Sequence, residues 1–174
     1  EGTGIALNGT KLSEHDGDKV FIPIEGTFYD AKFESANPEK EYKFQWTRRD
    51  GKVYETKVDL NSGPMTLNVI SNTKVQRSKP FLVRITAAPI DTDETMDFIL
   101  KGTAIDYSQL TVEKRSIHSL SYTFQPNEMN QFNGTVTLYA KRIRNRSTSN
   151  QDNDIGGEIT SEYWTDQVSI EMIE

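Results

Sequence analysis

The sequence contains no cysteine in 174 residues, and only two histidines and two tryptophans. Without cysteine there are no disulfide staples, no thiolate nucleophile and no cysteine-based zinc site. His15 and His118 stand about a hundred residues apart, too far to suggest a shared motif. His15 reads as a solvated linker residue and His118 as a strand-surface one. No serine sits in a Gly-x-Ser-x-Gly elbow, and no glycine-rich phosphate loop is present. No apolar run approaches the roughly 18 residues that cross a bilayer as a helix, so no membrane span is expected. Concentrated positive charge is missing too. With a net charge of −6, nucleic acid is not an expected partner. The chain opens Glu1-Gly2-Thr3-Gly4 rather than with Met, which suggests a processed, exported protein.

What is abundant is alternation with a period of two. Val20, Ile22 and Ile24 alternate with other residues, as do Tyr42, Phe44 and Trp46, then Val136, Leu138 and Ala140, then Val168, Ile170 and Met172. A strand with one buried face requires this pattern. Asp50-Gly51 lies between two such segments and predicts a type I′ hairpin. Residues 61–64 and 88–91 read as loops, and Asn145–Gly157 as a mobile polar loop between the last two strands. Ala104–Arg115 supports no more than a short turn. About nine strands result, and the fold class expected is all-β, an immunoglobulin-like sandwich. Residues 1–17 stand apart as an N-terminal arm and linker, leaving 18–174 as the sandwich domain.

Three charged clusters invite chemistry. Asp91, Asp93, Glu94 and Asp97 could suggest calcium, but read better as a solvated turn before a strand. Asp152-Asn153-Asp154 lacks the full ligand set of a calcium loop. Lys141–Arg146 reads as a charged strand end that discourages edge pairing, rather than as a site for an anionic glycan or lipid. Parity puts Trp46 and Trp164 on apolar faces, so both are expected in the core. Tyr107 and Tyr139 are the better surface contacts. No catalytic residue, metal site or cofactor is expected.

The two ends carry a resemblance. Tyr163, Asp166, Val168, Ile170 and Met172 follow the pattern with which chaperone–usher pilins end, and Lys19–Phe28 resembles the first strand of such subunits. The chain is thus similar to a fimbrial subunit of the cysteine-free kind. That resemblance implies an incomplete immunoglobulin-like fold completed by a donor strand from a neighbour. Ile5 and Leu7 would enter the neighbour's groove and Gly9 would fit a shallow pocket. The acceptor groove would be lined by Val20, Ile22, Val168, Ile170 and Met172. The implied partners are neighbouring fimbrial subunits, a periplasmic chaperone, an outer-membrane usher and a host receptor, with the protein at the bacterial cell surface. Ile5 and Leu7 are equally readable as a frayed terminus or an ordinary first strand of the same domain. Two other classes stay open: a monomeric exported module binding a glycan or protein, and a phage structural protein.

Overall fold

The computed structural model describes residues 5–7, 9–11, 13–16, 27–30, 42–47, 50–58, 63–70, 72–149 and 156–174. The predicted strand residues Val20, Ile22 and Ile24 lie outside them. The chain divides into two compact units, residues 1–61 with 148–157, and residues 62–147 with 158–174. The boundary expected from sequence stood at 17/18 instead. Among the described residues, both units are built almost wholly of antiparallel strands.

The first unit holds β1 (Ile5–Leu7), β2 (Thr10–Lys11), β3 (Ser13–Asp16), β4 (Thr27–Asp30), β5 (Tyr42–Thr47) and β6 (Val53–Val58). One sheet runs β2-β1-β5-β6, and β3 pairs with β4. The alternating segments flanking Asp50-Gly51 do form a hairpin, with Tyr42 opposite Val58 and Thr47 opposite Val53. Its connection differs from the expected type I′ turn. Residues 48–52 separate the last pair, and of Asp50 and Gly51 only the glycine has a positive φ, 84°. The Asp50 side chain serves the turn in another way, accepting the Lys52 N–H at 3.1 Å.

The second unit begins with β7 (Thr66–Leu67), β8 (Thr73–Gln76), β9 (Phe81–Thr86), β10 (Glu94–Ala104) and β11 (Gln109–Ile117). It continues with β12 (Ser121–Phe124), a helical turn α1 (Pro126–Met129), β13 (Phe132–Ser149), β14 (Gly156–Trp164) and β15 (Val168–Ile173). One sheet is β12-β9-β7. The other is β11-β10-β13-β15-β8, with β14 also on β13. The opening strand is split between them: β7 pairs with β9, and β8 crosses over to pair in parallel with β15. This division of nine strands over two packed sheets is that of a β-sandwich.

Alternation explains the core. Leu67, Val83, Ile85 and Phe124 face inward from one sheet, and Met96, Phe98, Leu100, Val136, Leu138, Ala140, Ile170 and Met172 from the other. Burying side chains of this size contributes about 1.5–3 kcal/mol each. Two expectations change here. The described part of Asn145–Gly157 is strand, because β13 runs to Ser149 and β14 begins at Gly156, and residues 150–155 lie outside the described residues. Within Ala104–Arg115, residues 105–108 turn and the rest belongs to β10 and β11.

Candidate functional site

The arm of the first unit is paired to its own chain. Ile5, Ala6 and Leu7 lie opposite Trp46, Gln45 and Phe44, and Leu7 is buried. Gly9, with φ of 82°, serves the tight return to Thr10, and a Cβ there would meet no atom within 4 Å. Within this chain the turn accounts for the glycine. Of the residues expected to line a groove, Val20 and Ile22 lie outside the described residues. Val168, Ile170 and Met172 sit on β15, which has a neighbour on each edge. Ile170 faces Val136 on one side and Thr73 on the other. Ile170 and Met172 are core residues and Val168 packs against them.

The acidic and basic clusters meet each other. Antiparallel register sets Glu94 opposite Arg144 and Asp97 opposite Lys141. On the core-facing side, Glu94 and Arg142 are 0% and 1% exposed. The Arg142 guanidinium pairs with the Glu94 carboxylate and donates to the carbonyls of Ala88 at 2.9 Å and Pro89 at 2.6 Å. Arg144 reaches Glu94 at 2.8 Å and Asp91 at 2.6 Å, while Arg146 meets Asp93 at 2.7 Å. The solvated acidic turn is therefore corrected: Glu94 and Asp97 are buried, and three arginines account for the charge of Asp91, Asp93 and Glu94. The basic segment is likewise no edge, since β13 lies inside the sheet. Among the described residues no group of three or more histidine, cysteine or carboxylate side chains is arranged to hold a metal.

Outside the same strands the arrangement is open. Trp164 is 54% exposed, against the expectation of burial. Its ring stacks on Tyr139, centroids 5.7 Å apart and planes 27° from parallel, and Lys141 Nζ lies 5.5 Å over it. Lys141 is shared by three carboxylates: Glu162 at 3.4 Å, Asp97 at 3.5 Å and Glu113 at 3.8 Å. Asp97 also accepts the Ser116 N–H at 2.9 Å, at a β-bulge where Ser116 takes a φ of 58°. Beneath, Ile99 lies opposite Tyr139 and is buried.

Why parity misplaced Trp164 is visible in the backbone. Residues 165–167 leave the strand, and Thr165 turns inward, its N–H to the Ala140 carbonyl and its Oγ1 taking the Ala140 N–H. Odd residues face inward before this break and even ones after it. A one-residue slip moves every side chain to the other face. Trp46's side chain lies outside the described residues. Tyr107 is exposed as expected, at the tip of the β10–β11 turn, with a φ of 65°. Tyr139 is half-buried by its stacking, and His118 is exposed.

A second polar group ties α1 to the sheet. Glu128 accepts the Gln125 N–H at 2.8 Å and the Tyr122 hydroxyl at 3.0 Å, and pairs with Lys114. Burial pushes the Glu128 carboxyl up, but hydrogen bonds from Lys114, Gln125 and Tyr122 outweigh it and hold the carboxyl below its ordinary value.

In comparisons with known proteins, no family model, no curated protein and no solved structure matches this chain.

Proposed function

We propose that this chain is a non-enzymatic binding module of an exported protein, taking a saccharide on the outer face of its larger sheet. Trp164 carries the reading. A half-exposed indole, stacked on Tyr139 and fixed on paired strands, offers apolar surface at small entropic cost. Sugar rings present C–H faces that such surface buries, and Glu162 and Lys141 at its border can exchange hydrogen bonds with hydroxyls. Titration calorimetry with neutral tri- and tetrasaccharides of glucose, galactose and mannose tests it. Heat of binding that vanishes in Trp164→Ala is the expected result. No binding to any of them, with a protein partner retained by the same face, would replace the saccharide.

A second reading is the fimbrial one, a filament subunit exchanging its arm between molecules, with neighbouring subunits, chaperone and usher as partners. What favours it is that β1 is a short apolar strand, Ile5-Ala6-Leu7, with Leu7 buried. Deleting residues 1–12 should then leave an unstable monomer that added arm peptide rescues. Equal thermal stability and equal size-exclusion volumes with and without the arm would end this reading.

A further inference from the structure

Resting on the saccharide reading, we infer that the Tyr139–Trp164 face selects neutral sugars over acidic ones, and that Glu162 is the residue that selects. An acidic saccharide stacked on Trp164 needs a cation to receive its carboxylate. The cation beside the ring is Lys141, whose ammonium already lies within 3.8 Å of three carboxylates. Arg115, the next one along the sheet, donates to Glu113 at 2.8 Å and 2.6 Å. Three acids, Asp97, Glu113 and Glu162, thus face two cations, and the frame of the platform keeps one negative charge. Lys101 and Asp166, further along the chain on either side, add one charge of each sign.

Of the three carboxylates Glu162 is the most exposed, and Asp97 the least. Asp97 is tied down by Ser116 and Glu113 by Arg115, so only Glu162 stands where an incoming carboxylate would compete for Lys141. Unit charges about 4 Å apart interact by about 1 kcal/mol in water and more near a protein surface. One carboxylate at this border therefore decides an affinity ratio, while leaving the stacking that holds a neutral ring. Neutral hydroxyls meet no such penalty, because they donate to Glu162 as readily as they accept from Lys141.

The experiment compares neutral oligosaccharides with galacturonic and glucuronic acid oligomers of equal length, on the full chain, on Glu162→Gln and on Trp164→Ala. The wild-type chain should bind the neutral set and bind the acidic set weakly. Glu162→Gln should tighten the acidic set on the order of five- to tenfold and should not tighten the neutral set, whose hydroxyls then meet an amide oxygen in place of the carboxylate. Trp164→Ala should lose both. Equal wild-type affinity for the two sets, or no gain in Glu162→Gln, overturns the selection and leaves the platform standing. Binding of neither set by the wild-type chain removes the platform itself, and the selection with it.

Discussion

On the core side of β10 and β13, Arg142 and Arg144 meet Glu94 and Asp91. On the outer side of the same strands, Lys141 meets Asp97, Glu113 and Glu162. The inner cluster uses guanidinium forks, which divide their donors between a carboxylate and the carbonyls of Ala88 and Pro89. Rigid, planar and weakly hydrated, that group can be buried where its terminal nitrogens meet carbonyl and carboxylate oxygens. The outer cluster uses an ammonium on a flexible stem, a point charge shared by acids at 3.4–3.8 Å with an indole beside it. The inner arrangement fastens the loop before β10 to the sheet. The outer one is held loosely enough to rearrange around something else. Similar charges on neighbouring residues thus serve architecture on one face and, under the proposed function, contact on the other.

The contrast can be broken first at its buried half. Arg142→Met should leave Glu94 with Arg144 as its remaining counter-charge and take the donor from the Ala88 and Pro89 carbonyls, at a cost approaching about 3–5 kcal/mol in urea unfolding. Adding Glu94→Leu should recover part of that loss, since the apolar pair fills the site while Arg144 keeps Asp91 as its counter-charge. A single variant no less stable than the wild type would show that the cluster does not fasten the loop.

A smaller effect is expected at Glu128, which is partly buried. Glu128→Gln should cost on the order of 1–2 kcal/mol at neutral pH, the scale of hydrogen bonds to a charged group. Because the folded carboxyl titrates below its ordinary value of 4.5, its contribution is complete above that value and is lost as the pH falls further. Wild type and variant should therefore converge in stability on acidification below about pH 4.5. A gap that stayed constant down to pH 2 would contradict the ionic account.

Smallest of all should be the effect of Trp164→Ala on stability. Its stacking on Tyr139 is worth about 0.5–1.5 kcal/mol, partly offset by releasing exposed apolar surface. A loss several times larger in thermal unfolding would make the indole a core residue in function, and the outer face no contact surface.

Much of the scaffold was legible from alternation alone. Tyr42–Thr47, Val136–Ala140 and Val168–Met172 are strands because their period is two, and their inward residues follow from it. The clusters were not legible, because the pairing of Glu94 with Arg144 is a tertiary register between residues fifty apart. Read along the chain, each charged run looks solvated. Read across β10 and β13, each supplies the other's counter-charge. Trp164 escaped for a local reason: Thr165, a small hydroxyl residue that can bond the backbone of β13, breaks the alternation, and nothing in Thr165-Asp166-Gln167 announces a slip of one. The helical turn at Pro126 had a signal in its proline and in Glu128 three residues after Gln125, the spacing of a capping box.

The break at residues 165–167 has a consequence for how the protein can change over generations. Residues 168–173 answer to the core, where an altered volume is felt at once. Residues 159–164 lie beyond the break, and their outward positions, Thr160, Glu162 and Trp164, owe the core nothing. Substitutions there can alter the chemistry of the outer face while the sandwich keeps its stability, so the same scaffold can present new surfaces without first being rescued from unfolding.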